Sequence, residues 1–151
     1  MDLIINLYAL PEPQQIDGVK ICRVLPPDFG KVSSFIKETF PGIWDQEASY
    51  ALYNRPVSCY IAVKEKSIVG FACYNATAKG YFGPTGVAEA FRRQGIGEAL
   101  ALHTLHGMRE DGYGYAVIGW TSDVGLPLYK KIGAVEIPGS EPERTVYGRL
   151  V

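Results

Sequence analysis

The chain has 151 residues, of which 47% are apolar and 21% charged, enough for one ordinary packed domain and too apolar for a disordered chain. Lys+Arg (15) and Asp+Glu (16) nearly cancel, which removes the electrostatic case for nucleic acid or an anionic membrane surface. No apolar run approaches the ~18 residues that span a bilayer. The opening Met1-Asp2-Leu3-Ile4-Ile5-Asn6 lacks the basic region and cleavage site of a signal peptide and reads as a strand. Cys22, Cys59 and Cys73 are odd in number and show no Cys-x-x-Cys spacing, so neither a disulfide framework nor a metal site is expected. A reducing, cytoplasmic setting follows, with Cys59 and Cys73 as small core residues inside strands.

In chain order, Met1–Leu10 reads as a first strand ended by Pro11-Glu12-Pro13, and Val19–Leu25 as a second. Asp28 is placed to cap a helix over Phe29–Phe40, whose apolar face carries Val32, Phe35, Ile36 and Phe40. Pro41-Gly42 breaks it, and Trp44–Tyr53 forms a second short helix. Val57–Val63 and Ile68–Tyr74 are β-branched and aromatic, joined by the polar turn Lys64-Glu65-Lys66-Ser67 into a hairpin. Ala78–Val87 is a further strand interrupted by Gly83-Pro84-Thr85-Gly86, where proline cannot donate to a ladder; a bulge or splay is expected there. Gly95–Glu110 is the strongest helix, with Ile96, Leu100, Ala101, Thr104, Leu105 and Met108 on one face. Tyr115–Trp120 is a buried-type strand and Leu126–Ile132 a short helix; strands at Ala134–Ile137 and Thr145–Val151 close the chain. This order predicts a mixed α/β domain around one sheet.

The chemistry is concentrated in Val87-Ala88-Glu89-Ala90-Phe91-Arg92-Arg93-Gln94-Gly95-Ile96-Gly97-Glu98. A strand ends, a basic loop follows, and Gly-Ile-Gly opens an amphipathic helix. The first N–H groups of a helix have no internal partner and carry partial positive charge, so this junction is an anion site. Glycines let backbone approach a ligand, and Arg92 and Arg93 add forked donors suited to phosphate. Leu100 stands where a dinucleotide fingerprint needs its third glycine, and no Lys-Ser/Thr follows as in a nucleoside-triphosphate loop.

Arg92-Arg93-Gln94-Gly95-Ile96-Gly97 matches the Gln/Arg-x-x-Gly-x-Gly/Ala pattern of the GNAT acyl-CoA-dependent N-acyltransferases, and Leu128-Tyr129-Lys130-Lys131-Ile132-Gly133-Ala134 resembles that family's tyrosine-bearing second hallmark. The resemblance runs from Val57 to Val135; the first fifty residues share only the order of elements. It implies the GNAT fold, a mixed central sheet with one splayed strand and flanking helices. It divides the chain into an acceptor side, roughly residues 1–56, and a coenzyme-binding core, roughly 57–151, within one domain. It implies acetyl-CoA as acyl donor and no metal. Backbone N–H groups from Arg93 through Gln94, Gly95, Ile96, Gly97 and Glu98, with Arg92 beside them, would hold the coenzyme pyrophosphate. Thr85, Gly86 and Val87 would pair with the pantetheine arm, and a backbone N–H near Val87 would polarise the thioester. Tyr129 would be the general acid for the departing thiolate.

Two residues depart from the family pattern. The glutamate often found on the splayed strand is absent; Glu89 follows that strand, and Asp45 and Glu47 lie in the expected acceptor lip, so a water chain is the default base. Ser122 stands where many relatives carry asparagine, with Asp123 adjacent. These departures motivate an alternative, a non-catalytic acyl-CoA-binding module acting as a sensor or scaffold. His103 and His106 are expected on an exposed helix face. Trp44, Tyr50 and Tyr53 are read as core or pocket aromatics, and Trp120 as pocket wall or core plug. The expected acceptor is a small-molecule or peptide amine, and an exposed C-terminal strand could pair with a second copy in a homodimer.

Overall fold

The computed structural model describes Met1–Val151. One sheet holds β1 (Leu3–Asn6), β2 (Val19–Arg23), β3 (Cys59–Lys64), β4 (Ser67–Tyr74), β5 (Tyr81–Val87), β6 (Tyr115–Ile118) and β7 (Val135–Glu136) in the order β2-β3-β4-β5-β6-β1-β7. The helices are α1 (Phe29–Thr39), α2 (Trp44–Leu52), α3 (Ile96–Glu110) and α4 (Leu126–Lys131). All neighbouring strands run antiparallel except β5 and β6.

Side chains alternate across a strand, and here both faces of the sheet are covered. Tyr60, Ala62, Ala72 and Tyr74 join Ile96, Leu100, Leu105 and Met108 of α3 in one buried cluster. Cys59, Ile61, Phe71 and Cys73 join Val32 and Ile36 of α1 and Ala48, Ala51 and Leu52 of α2 in the other. Double coverage is why β3 and β4 read as continuous apolar runs. Each fully buried leucine or isoleucine contributes about 1.5–3 kcal/mol. Cys59 and Cys73 face each other across β3 and β4 as buried free thiols.

Both chain ends differ from expectation. β1 stops at Asn6 because the Asn6 side chain accepts the Tyr8 N–H at 2.9 Å and turns Leu7–Ala9 into a 3-10 turn. The expected strand Thr145–Val151 is instead a pair of 3-10 turns, Pro142–Arg144 and Val146–Arg149. Thr145 Oγ1 accepts the Tyr147 N–H locally, at 3.4 Å, in competition with a ladder. The exposed C-terminal strand that could pair with a second copy is therefore not formed. Asp28 precedes α1 as expected, but its carboxylate caps no N–H and pairs with Lys31 at 3.3 Å. β5 begins at Tyr81 rather than Ala78, because Asn75 Oδ1 accepts the Gly80 N–H at 2.8 Å and holds the preceding turn.

Arg23 ties the edge strand β2 to the far end of α3. Its Nη1 donates to Val57 O at 2.5 Å and to Tyr74 Oη at 2.7 Å, and Nη2 lies 3.8 Å from the Asp111 carboxylate. Tyr74 in turn donates to Asp111. A lysine ammonium concentrates its donors on one nitrogen and lacks the spaced Nη1 and Nη2 that reach these acceptors here. Arg23→Ala is expected to lower unfolding free energy by about 1–3 kcal/mol, with Arg23→Lys recovering less than half. Urea denaturation measures this; an unchanged midpoint for Arg23→Ala would show the network to be idle.

Candidate active site

The site begins where the sheet divides. β5 pairs with β6 only at Tyr81↔Val117 and Phe82↔Ile118, but stays paired with β4 as far as Gly70↔Val87. The splay expected at Gly83-Pro84 therefore occurs. The Ala88 N–H donates to Val69 O, so by strand alternation Gly86 faces β4 while the backbone groups of Thr85 and Val87 face the gap. The gap opens into a cleft of about 470 Å³. Its walls include Phe40 and Trp44 on one side, Thr85–Val87 along the strand, and Ser122, Leu128 and Tyr129 opposite. A Cβ at Gly86 would come within 2.6 Å of Phe40 Cε1, so glycine is what lets α1 and α2 close this wall.

At one end of the cleft lies the N-terminus of α3. Gly95, the residue before it, has φ of +83°, which favours glycine, and no side chain caps the helix. The N–H groups of Ile96, Gly97 and Glu98 thus carry no intrahelical bond. A Cβ at Gly97 would touch only Val87 Cγ2, at 3.7 Å, so packing of the protein does not demand glycine there. Of the sequence-expected cofactor residues, Thr85, Gly86, Val87, Arg92 and Gly97 line the cleft. Arg92 Nε donates to Val87 O at 3.0 Å and holds the basic loop against the strand end. Arg93 and Gln94 are exposed, and Gln94 Oε1 accepts from Lys64 at 3.2 Å. Ile96 is buried in the core, which leaves its backbone for a ligand. The Glu98 carboxylate pairs with Lys131 at 2.6 Å and joins α3 to α4.

Tyr129 lines the opposite wall, 7% exposed, with its ring edge-on to Phe82 at 5.9 Å. Burial holds its phenol above the usual tyrosine range, so it carries its proton at neutral pH. Ser122 lines the cleft and Asp123 does not. Thr121 Oγ1, also on the wall, is buried without a hydrogen-bond partner.

The structure separates the acidic candidates Asp45, Glu47 and Glu89. Glu47 lines the cleft and accepts from Thr77 Oγ1 at 2.6 Å. Asp45 borders a separate shallow groove with Ser33, Ser34 and Lys37. Glu89 belongs to neither. Tyr147 of the C-terminal turns also lines the cleft and was missed, because that segment was read as a strand. Trp44 is pocket wall; Tyr50 and Tyr53 are exposed away from it. Trp120 is neither wall nor core plug: it is largely exposed and packs on Tyr147 at 5.5 Å. His103 and His106 are half-buried rather than exposed, and His106 Nε2 sits 3.0 Å from Pro11 O.

The model of the acetyltransferase (GNAT) family matches residues 29–134. The chain belongs to the GNAT acetyltransferase family. Solved structures share its fold. A glucosamine N-acetyltransferase region of a fungal multi-domain GH3 β-N-acetylglucosaminidase aligns with TM-score 0.72 and 16% identity over 89% of this chain and 19% of that one. GCN5-related N-acetyltransferases from Sphaerobacter thermophilus (TM-score 0.69, 21% identity, 89% and 47% coverage) and Kribbella flavida (0.67, 17%, 89% and 52%) do likewise. This GNAT chain thus spans about half or less of the length of these structures. No curated protein sequence matches it. No helix is long and apolar enough to cross a membrane, and nowhere do three or more His, Cys, Asp or Glu side chains group as metal ligands.

Burial raises the phenols of Tyr129, Tyr74 and Tyr147; Tyr147 is pushed up to about 12, with the charges of Glu47 and Asp2 adding to burial. Unfolded tyrosines ionise near ~10, so above that pH the unfolded chain binds fewer protons than the folded one. This contribution to stability is full below ~10 and declines as pH rises towards the folded values. Urea midpoints are expected to fall progressively above pH ~10, less steeply in Tyr129→Phe; a wild-type midpoint flat to pH ~12 would contradict the burial of these phenols.

Proposed function

We propose that this chain is an acetyl-CoA-dependent N-acetyltransferase acting on a primary amine of a small molecule or peptide. The reading is carried by one observation: strand β5, with the Thr85 backbone and the Val87 N–H free on its open edge, runs into an uncapped helix N-terminus at a glycine the fold does not need. A thioester ligand with a phosphate tail and an amide-bearing arm fits both features. When bound, the coenzyme supplies the activated acetyl group.

The chain's own residues then divide the work. Backbone N–H groups from Arg93 to Glu98 hold the pyrophosphate, with Arg92 contributing charge at the cleft wall. Thr85 presents its N–H and C=O groups to the arm, the Val87 carbonyl being held by Arg92, and the Val87 N–H serves as donor to the acyl oxygen. An alkyl amine, ordinarily protonated near neutral pH, must lose a proton before it attacks. Tyr129 keeps a proton on Oη at the cleft wall and acts as general acid towards the leaving sulfur. Roughly residues 1–56 form the acceptor side, joined on the cleft wall by Tyr147, and roughly 57–151 the coenzyme core of a single domain. The cytoplasmic setting expected from the cysteines accompanies this reading.

Titration with coenzyme A is expected to raise the thermal midpoint, by about 2.7 kcal/mol of stability at 100 times the dissociation constant, where NAD and ATP do not. Gly97→Leu should abolish that shift while Gly97→Ala keeps the unliganded midpoint. No shift in the wild type would overturn the reading. Tyr129→Phe should cut turnover about 100-fold or more with coenzyme affinity retained; equal loss of both would make Tyr129 structural. Tight coenzyme binding without thiol release across an amine panel would leave a binding module in place of an enzyme.

A further inference from the structure

The cleft has two ionic side chains, and they belong to opposite ends of β5. Arg92 is fixed to Val87, the last residue of the strand. Glu47 is fixed to Thr77, in the turn that precedes the strand. Trp44 and Glu47 lie on one face of α2, so the helix that closes the wall also delivers the carboxylate. Glu47 is half-buried, forms no ion pair, and receives one hydrogen bond from the protein. What sets Glu47 apart from the other carboxylates without an ion pair is its place: it is the one acidic side chain on the cleft wall. A partly desolvated carboxylate without a counter-ion is costly unless a cation arrives.

The surroundings reinforce this charge. Asp2 is 4% exposed, forms no ion pair, and accepts from Tyr81 Oη at 3.1 Å and the Trp120 N–H at 3.3 Å. Tyr147, on the cleft wall, packs edge-on with Tyr81 at 6.4 Å and Trp120 at 5.5 Å, and the charge of Glu47 helps to raise its phenol. Arg149 is the cation beside this group, and it acts on Tyr81.

We infer that this end of the cleft is an alkylammonium subsite with Glu47 as its counter-ion and Tyr147 as its aromatic wall, so that the acceptor is an aliphatic cationic amine with no carboxylate beside its nitrogen. The inference rests on the acyltransfer reading and narrows it. Diamines, polyamines and amino sugars satisfy the subsite. Free α-amino acids bring a carboxylate that Glu47 repels.

The test is a titration of the whole chain with 1,4-diaminobutane, followed by ligand-observed NMR, with and without coenzyme A. Wild type is expected to bind saturably. Glu47→Gln should bind about 10–100-fold more weakly, and Thr77→Val, which frees the carboxylate from its orienting hydroxyl, should show a smaller loss. Alanine, a zwitterion, should not displace the diamine. In turnover, Glu47→Gln should raise KM for the diamine and leave KM for acetyl-CoA unchanged. Coenzyme-induced thermal stabilisation, equal in wild type and Glu47→Gln, shows that the variant folds. Equal diamine affinity in wild type and Glu47→Gln, displacement by alanine, or no saturable diamine binding would each overturn the subsite. Loss of the coenzyme effect in wild type would instead overturn the acyltransfer reading.

Discussion

A strand that keeps one neighbour and loses the other must leave a row of N–H and C=O groups unpaired. In this chain that strand is β5 after Phe82. Unpaired backbone is costly where water is excluded, so such an edge persists only beside solvent or a ligand. β4 fixes the strand on one side as far as Val87. The parallel partner β6 departs on the other, and the cleft is the space between them. The helix start that receives the end of β5, the tyrosine opposite and the carboxylate on α2 are all positioned relative to this split.

Packing on both faces keeps the split open. α3 fills one side of the sheet with Leu100, Leu105 and Met108, and α1 and α2 fill the other through Val32, Ile36 and Leu52. Phe40, Trp44 and Phe71 contact one another with centroids 5.4–6.0 Å apart and form the wall behind Gly86. A larger residue at Gly86 would push that wall away from β5. Rigid helices thus hold the edge, while the ligand-facing groups are mainly backbone. The arrangement suits a ligand whose affinity comes from many modest hydrogen bonds.

What was legible in the sequence was local. Gly95-Ile96-Gly97 announced its turn because a positive φ and an open Cβ position are properties of a few consecutive residues. Gly83-Pro84 announced the splay because proline cannot continue a ladder. What was not legible depends on distant packing. β1, first in the chain, lies between β6 and β7, a placement set by hydrogen bonds to residues more than a hundred positions away. Glu47 and Asp45 are near neighbours on one short helix, and only the docking of α2 against the sheet sends one into the cleft and the other to a separate groove. Tyr147 reaches the cleft because Thr145 starts a turn where the sequence reads as a closing strand.

The proposed coenzyme site joins the free edge of β5 to the start of α3. Amide N–H NMR of the intact chain titrated with coenzyme A tests it most directly. The Thr85, Val87, Gly97 and Glu98 amides are expected to shift together along one binding curve and gain protection from exchange. Binding that leaves these amides unmoved and shifts those around Lys37, Asp45 and Ser49 would contradict it.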